Sequence, residues 1–335
     1  MAARALAAAL GALLLAGCGA SGSGPTDQSA TLLLDFQPNA VHAGIYLAKA
    51  RGYTDAEGVR LRIRVPGAST DAVKALAGGR AQLAVLDIHD LALARERGSD
   101  LVGVMALVQR PLAAVVAAPG IRTPRDLEGH RVGVTGLPSD DAVLRSIVQG
   151  AGGDAGKLRP TTIGFDAVRA LLGGRVSGAT AFWNVEGLAL QQRGTPAKPY
   201  RVFRVDDFGA PAYPELVLTV THRTLVEDPS LVRAAVRALQ RGYREAVIDP
   251  DSATQALLDA VPGLERKVVA AQLEAVEPLF QASAGSVGTL DGGQLAAWAR
   301  WEQRFGVTKT VPDVTHMFSP AFAREGAAAA ATSSG

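Results

Sequence analysis

The 335-residue chain holds a single cysteine, Cys18. One thiol excludes an intrachain disulfide framework and any metal site built from several cysteines. Histidine is scarce too. There are five (His42, His89, His130, His222 and His316), and no two stand in an HxxxH or HExxH pattern, so a zinc hydrolase lacks its usual ligand pair. No GxSxG turn and no P-loop occurs, which removes the commonest signatures of serine hydrolases and nucleotide triphosphatases. Gly78-Gly79 and Gly173-Gly174 read instead as helix ends. An excess of one charge is also missing: 34 basic residues face 32 acidic ones, for a net charge of +2. The 28 arginines are scattered along the chain and form no stripe for nucleic acid. Aromatic residues make up 5%, so any cluster of them stands out.

What is present suits a folded body. Hydrophobic residues reach 48% and charged residues 20%, which rules out a mostly disordered chain. The length allows two domains of roughly 100–200 residues each. Arg4 precedes an apolar stretch over residues 5–16, about the length of a signal-peptide core and too short to span a bilayer permanently. Leu15-Ala16-Gly17-Cys18 closes the stretch and resembles the lipobox of bacterial lipoproteins, where cleavage precedes a cysteine that then carries diacylglycerol. An ordinary secretory signal with a chance cysteine is the alternative. Residues 18–30 have the Gly/Ser/Pro composition of a flexible tether, and residues 323–335 read as a disordered tail. The expected product is a body lipid-anchored through Cys18 on the extracytoplasmic face of a membrane, away from cytosolic nucleotide pools.

From residue 31 onward short apolar runs alternate with helical patterns. Strands are expected at 31–36, 59–65, 82–86 and 101–107, with helices at 42–51, 71–77 and 91–97 between them. A second run starts near Pro111, with strands at 112–117, 132–134, 161–164 and 179–182 and helices between them. A return strand at 215–220 precedes helices at 230–248, 252–258, 265–279 and 290–305. In residues 59–65 the apolar positions alternate with Arg60, Arg62 and Arg64, as in a half-buried strand. The βα rhythm predicts mainly parallel sheets covered by helices. It divides the chain into a first lobe over 31–110, a second over 111–213, and a return to the first over 214–322. Ligands of open α/β sheets bind outside the carboxyl ends of the strands, so those junctions are the candidate site.

Four junctions carry polar and aromatic groups. Asp35, Phe36, Asn39 and His42 leave the first strand together; read singly, Asn39 is a helix cap. Trp183, Asn184 and Glu186 follow the strand that starts after Gly178. Cap and core roles would account for them, but an aromatic with an amide and a carboxylate also suits a flat, amine-bearing heterocycle. The run Asp206 to Glu215, with Phe208 and Tyr213, precedes the return strand and reads either as a hinge or as a surface loop. At the fourth junction, Asp140 and Asp141 occupy the first turn of a helix. Their charge opposes the anion binding that helix starts favour, which points to a neutral or cationic ligand. Asp87-Ile88-His89-Asp90 reads as a helix cap plus lining residues.

These junctions carry a family resemblance. LLLDFQPNAVHAGIYLAKARGY (32–53), GLPSDDAVL (136–144), FWNVEG (182–187) and DDFGAPAYPELVLTV (206–220) resemble, in order, blocks of the thiamine-pyrimidine-binding family. That family includes substrate-binding lipoproteins of ABC importers and the yeast hydroxymethylpyrimidine phosphate synthase. The resemblance spans residues 31–305. It implies a type II periplasmic-binding-protein clamshell, an α/β fold of two βα lobes with a ligand cleft between them. It also implies capture of an aminopyrimidine thiamine precursor for an ABC permease, without cofactor, metal or catalysis, by a monomer. Block by block, the implied ligand positions are Asp35, Phe36, Asn39 and His42, then Trp183, Asn184 and Glu186, then Tyr213 and Glu215. Phe36 stands where the family more often has tryptophan; phenylalanine stacks but offers no indole N–H. Riboflavin or another small organic solute is the alternative ligand, whereas sulfonate or nitrate suits the acidic helix start poorly. A synthase role is a second alternative, but this chain lacks the synthase's cysteine-rich motif.

Overall fold

The computed structural model describes residues 28–67, 71–282 and 286–333. Cys18, the leader and most of the tether lie outside the described residues. Ten strands form two five-stranded sheets. The first sheet contains β1 (Gln28–Leu33), β2 (Val59–Arg64), β3 (Leu83–Asp87), β4 (Leu101–Ala106) and β10 (Leu216–Thr221), in the order β2-β1-β3-β10-β4. The second contains β5 (Ala113–Ala117), β6 (Arg131–Val134), β7 (Arg159–Thr162), β8 (Gly178–Phe182) and β9 (Arg201–Arg204), in the order β7-β6-β8-β5-β9.

The sheets repeat one plan. β1 pairs in parallel with β2 and β3, and β6 pairs in parallel with β7 and β8. β10 and β5, the first strands after the chain passes from one sheet to the other, run antiparallel to both their neighbours. The expectation of mainly parallel sheets therefore needs one correction in each. Two crossings join the sheets, one at 107–112 and one at 205–215. β5 is buried along its whole length, and so is the edge strand β4, which Phe318 covers at Gly103, while the edge strand β7 is exposed throughout. β2 buries Val59 and Leu61 and exposes Arg60 and Arg62, but Val65 lies beyond the strand and is exposed, contrary to the expected alternation. β9 has no counterpart among the expected strands.

The first sheet rests on the helices Ala43–Ala50 and Pro229–Ile248. They cross where Gly44 meets Gly242: a Cβ on Gly242 would sit 2.1 Å from the Gly44 carbonyl oxygen, and one on Gly44 would strike the Tyr243 ring at 2.5 Å. Tyr243 is buried and its hydroxyl donates to the Val41 carbonyl (2.8 Å), which fixes the turn that follows β1.

The C-terminus departs from expectation. Residues 323–335 were expected to be disordered, yet Pro320–Ser333 is a helix. Alanine is the strongest helix former, and here it also packs. Gln240 donates to the Ala323 carbonyl (2.8 Å), Ala323 is buried, and Arg233 pairs with Glu325 at 3.0 Å.

Candidate functional site

The carboxyl ends of β1, β3, β6 and β8 open onto one cleft of about 900 Å³, partly open to solvent. The antiparallel strands start there, so their first residues join the site: Leu216 pairs opposite Asp87, and Ala113 opposite Phe182. Elements of the first sheet contribute Asp35, Phe36, Asp87, His89, Asp90 and Glu215. Those of the second contribute Thr135, Asp140, Phe165, Thr180, Phe182 and Glu186. Six carboxylates and three phenylalanines line the cleft, and among the described residues no lysine or arginine does. Phe36 and Phe165 meet across it edge to face, with ring centroids 4.7 Å apart at 84°.

Asp35 is held from behind. Its Oδ1 lies 2.8 Å from His42 Nε2, while His42 Nδ1 accepts from the Asn39 backbone N–H at 3.2 Å. An acceptor Nδ1 places the proton of neutral imidazole on Nε2, so His42 donates to Asp35. Asn39 caps the same turn: its side chain accepts from Val41 N–H (3.0 Å) and donates to the Gln37 carbonyl (3.0 Å).

Opposite, Trp183–Gly187 forms a π-helical turn, a local distortion frequent at functional sites. It brings Glu186 to the cleft, where the carboxylate accepts from Phe182 N–H at 3.2 Å. Burial raises the Glu186 pKa, with backbone hydrogen bonds opposing the shift. Asp140 accepts from Thr135 N–H (2.7 Å) and Gly136 N–H (3.2 Å), with the Thr135 hydroxyl against the same oxygen. Burial raises its pKa as well, against the pull of those hydrogen bonds.

The floor is a buried charge cluster. Asp87 caps the helix Ile88–Glu96 by accepting from His89 N–H at 2.8 Å. Glu215 uses Oε2 to accept from Leu112 N–H (2.6 Å) and Ala113 N–H (2.9 Å). Its Oε1 is buried without a hydrogen-bond partner, 3.7 Å from His89 Nε2. Tyr213 Oη lies 3.2 Å from the same nitrogen. Glu302, from the helix Gly292–Phe305, lies against His89 Nδ1, and Trp298 Nε1 is 3.3 Å from that atom. Burial alone would lower the His89 pKa, but Glu302, Asp87 and Glu215 together push it up to about 10. Burial raises Asp87 well above the usual carboxylate range and raises Glu215 too.

Such a surface offers aromatic faces and carboxyl oxygens and, among the described residues, no lysine or arginine. A family model described as NMT1/THI5 like matches residues 39–253. The chain belongs to the NMT1/THI5-like family. The formylaminopyrimidine-binding protein of Halalkalibacterium halodurans is 32% identical over 255 residues, covering 74% of this chain and 76% of its own. The riboflavin-binding protein RibY of Chloroflexus aurantiacus is 26% identical, over 89% of this chain and 87% of its own. The 4-amino-5-hydroxymethyl-2-methylpyrimidine phosphate synthase of Legionella pneumophila is 24% identical, over 70% and 74%. In fold, the periplasmic aliphatic sulphonate-binding protein SsuA of Escherichia coli superimposes with a TM-score of 0.70 at 17% identity, over 88% of this chain and 93% of that one. The fold is the two-lobed periplasmic-binding-protein clamshell.

Of the nine positions that the family blocks imply, Asp35, Phe36, Glu186 and Glu215 line the cleft. Asn39 and His42 are buried behind Asp35. Trp183 faces away: its indole N–H donates to the Pro111 carbonyl (3.0 Å), and Arg204 covers its ring at 3.8 Å. Asn184 is fully buried, with both amide atoms unpartnered. Tyr213 is buried in the floor, 5.2 Å from the His89 ring centroid. The aromatic rings that line the cleft beside Phe36 are those of Phe165 and Phe182, not those of Trp183 and Tyr213. Phe182 ends β8 at the cleft, and Trp183 opens the π-helical turn, which carries its ring away. Asp87, His89 and Asp90 also line it, and their place directly after β3 was the signal available for them. Phe165 had a weaker one, since it follows Gly164 at the end of an exposed edge strand.

Proposed function

We propose that the chain is the lipid-anchored solute-binding component of an ABC importer, and that it captures an aminopyrimidine precursor of thiamine. The observation that carries this reading is the lining of the cleft: six carboxylates, three phenylalanines and, among the described residues, no lysine or arginine. A flat ring bearing amino groups presents N–H donors that match buried acceptors, and charge-assisted bonds are the strong ones. Phe36, Phe165 and Phe182 stack on the ring. Glu186 and Asp35 accept its N–H groups, and Asn39 and His42 hold Asp35 in place. An anionic solute would face this lining without a lysine or arginine partner among the described residues. Closure of the two lobes traps the solute and presents it to a permease. The resemblance to a formylaminopyrimidine-binding protein over three quarters of the chain supports the choice of ligand.

Calorimetry and thermal shift with hydroxymethylpyrimidine, formylaminopyrimidine, thiamine and riboflavin test the reading. Saturation well above Kd stabilises the fold by a few kcal/mol. A response to an aminopyrimidine is the expected result. A response to riboflavin alone would replace the ligand and keep the binding role. Turnover to a pyrimidine phosphate would overturn the binding role itself.

A further inference from the structure

We propose that Asp87, His89 and Glu215 form a binding site for one divalent first-row metal ion in the cleft floor. A nitrogen or oxygen donor atom from each of the three lies within 4.8 Å of the others. The second observation is the state of those atoms. Glu215 is fully buried and lines the cleft; no N–H or hydroxyl group reaches its Oε1, and its carboxyl lies within hydrogen-bonding reach of the Asp87 carboxyl. Leaving a buried carboxylate oxygen unpaired is costly unless something fills the place. Two backbone N–H groups on Oε2 fix the carboxylate so that Oε1 is the atom left over.

His89 is prepared in the way metal-binding histidines are. Ligating imidazoles donate their second N–H to a carboxylate, which fixes the tautomer and aims the other nitrogen at the metal. Glu302 lies against Nδ1, and Nε2, whose proton a bound metal would displace to solvent, faces Glu215 Oε1 at 3.7 Å. That gap is too long for a hydrogen bond. It is close to the ~3.4 Å that separates two ligands of a tetrahedral zinc ion with bonds near 2.0–2.1 Å. The donor atoms lie within 4.8 Å of one another, so the set must draw in by up to about 1.4 Å at its widest to reach such bond lengths. Asp87 Oδ1 is engaged by His89 N–H, and its carboxylate is the third donor. Tyr213 Oη, 3.2 Å from Nε2, would then turn its hydrogen bond to a ligand oxygen.

The charge balance points the same way. The buried carboxylates Glu215 and Glu302 and the half-buried Asp87 surround one imidazole, and among the described residues no lysine or arginine ion pair reaches any of them. A dication offsets two of these three charges, where a single proton offsets one. One imidazole with two carboxylates suits zinc or manganese better than copper or an iron–sulfur centre. Three protein donors leave coordination positions open, and Asp87, His89 and Glu215 all border the cleft, so a ring nitrogen or carboxylate of a solute can reach the ion.

The test uses the purified full chain, stripped with a chelator and titrated with Zn²⁺ or Mn²⁺, with Co²⁺ as a spectroscopic probe. The expected result is one metal per chain by mass spectrometry and calorimetry, with cobalt absorption bands typical of nitrogen and oxygen ligands. His89→Gln and Asp87→Asn each lower the affinity at least 100-fold. Asp87 lies nearer the surface, so the second variant covers the case in which the first fails to fold. Absence of stoichiometric metal in the stripped and reloaded wild type would overturn the site, as would binding unchanged in both variants. The readout is independent of any organic solute, so failure here leaves the proposed function intact, and failure of that function leaves this site standing.

Discussion

At Glu186 a half-buried carboxylate stands at the cleft wall with a backbone N–H as its hydrogen-bonding support. Burial disfavours the charged form, so its folded pKa stands above the unfolded value near 4.5. The stabilising contribution of such an acid is complete below the unfolded pKa and is lost as pH rises through the raised folded one. A solute that donates N–H bonds favours the carboxylate, so its affinity rises over the same pH interval. Glu186→Gln keeps the shape and removes the charge. It is expected to weaken aminopyrimidine binding by about 10- to 150-fold, the equivalent of about 1.5–3 kcal/mol for a hydrogen bond to a charged group. It should also flatten the loss of unliganded stability as pH rises above the ordinary glutamate range. Calorimetry and thermal melts across a pH series check the two effects. Equal affinity in wild type and variant would remove Glu186 from the site.

Between elements, the helix crossing at Gly44 and Gly242 sets where β1 ends and therefore where Asp35 and Phe36 stand. A Cβ at Gly242 would lie 2.1 Å from the Gly44 carbonyl oxygen, with Ala48 also inside contact distance. Gly242→Ala must part the helices, and overpacking of this kind costs about 1–3 kcal/mol. A denaturant melt should show that loss, and a melt unchanged from wild type would show that the crossing is not tight. This scale is also where the sequence was most legible. Period-two and period-3.6 patterns marked nine of the ten strands and the long helices, because apolar faces must be buried whatever the topology. β9 escaped because Arg201–Arg204 has arginines at both ends and one buried residue, Phe203, which leaves little period to read. The helix Pro320–Ser333 escaped because an alanine run carries no amphipathic pattern; its partner Gln240 lies 83 positions away from Ala323. The strand ends of the candidate site were legible for the same reason as the strands. Which side chain of each junction faces the cleft was not, because the π-helical turn that brings Glu186 in and leaves Trp183 behind is a backbone feature. Glu302, 213 positions from His89, is joined to the floor by tertiary packing alone.

Across the whole molecule, the cleft is closed at one point by an aromatic contact between the two sheets' loops. Phe36 follows β1 in the first sheet and Phe165 follows β7 in the second, and their rings meet edge to face at 4.7 Å. Such a pair is worth about 0.5–1.5 kcal/mol beyond its buried area, which is roughly a 2- to 13-fold bias between closed and open lobes. Neither ring needs a solute for this contact, so the bias acts on the unliganded protein. Binding through a partly populated closed state scales with the population of that state. Phe165→Ala is therefore expected to open the unliganded lobes and raise the radius of gyration in solution scattering. It should weaken every solute by up to the same factor, with a further loss for those that stack on the ring. Glu186→Gln, by contrast, should leave the unliganded radius unchanged and discriminate among solutes by their N–H donors. Phe165→Ala with unaltered scattering and unaltered affinity would show that the lobes are held by the crossings at 107–112 and 205–215, and that the aromatic contact merely follows their closure.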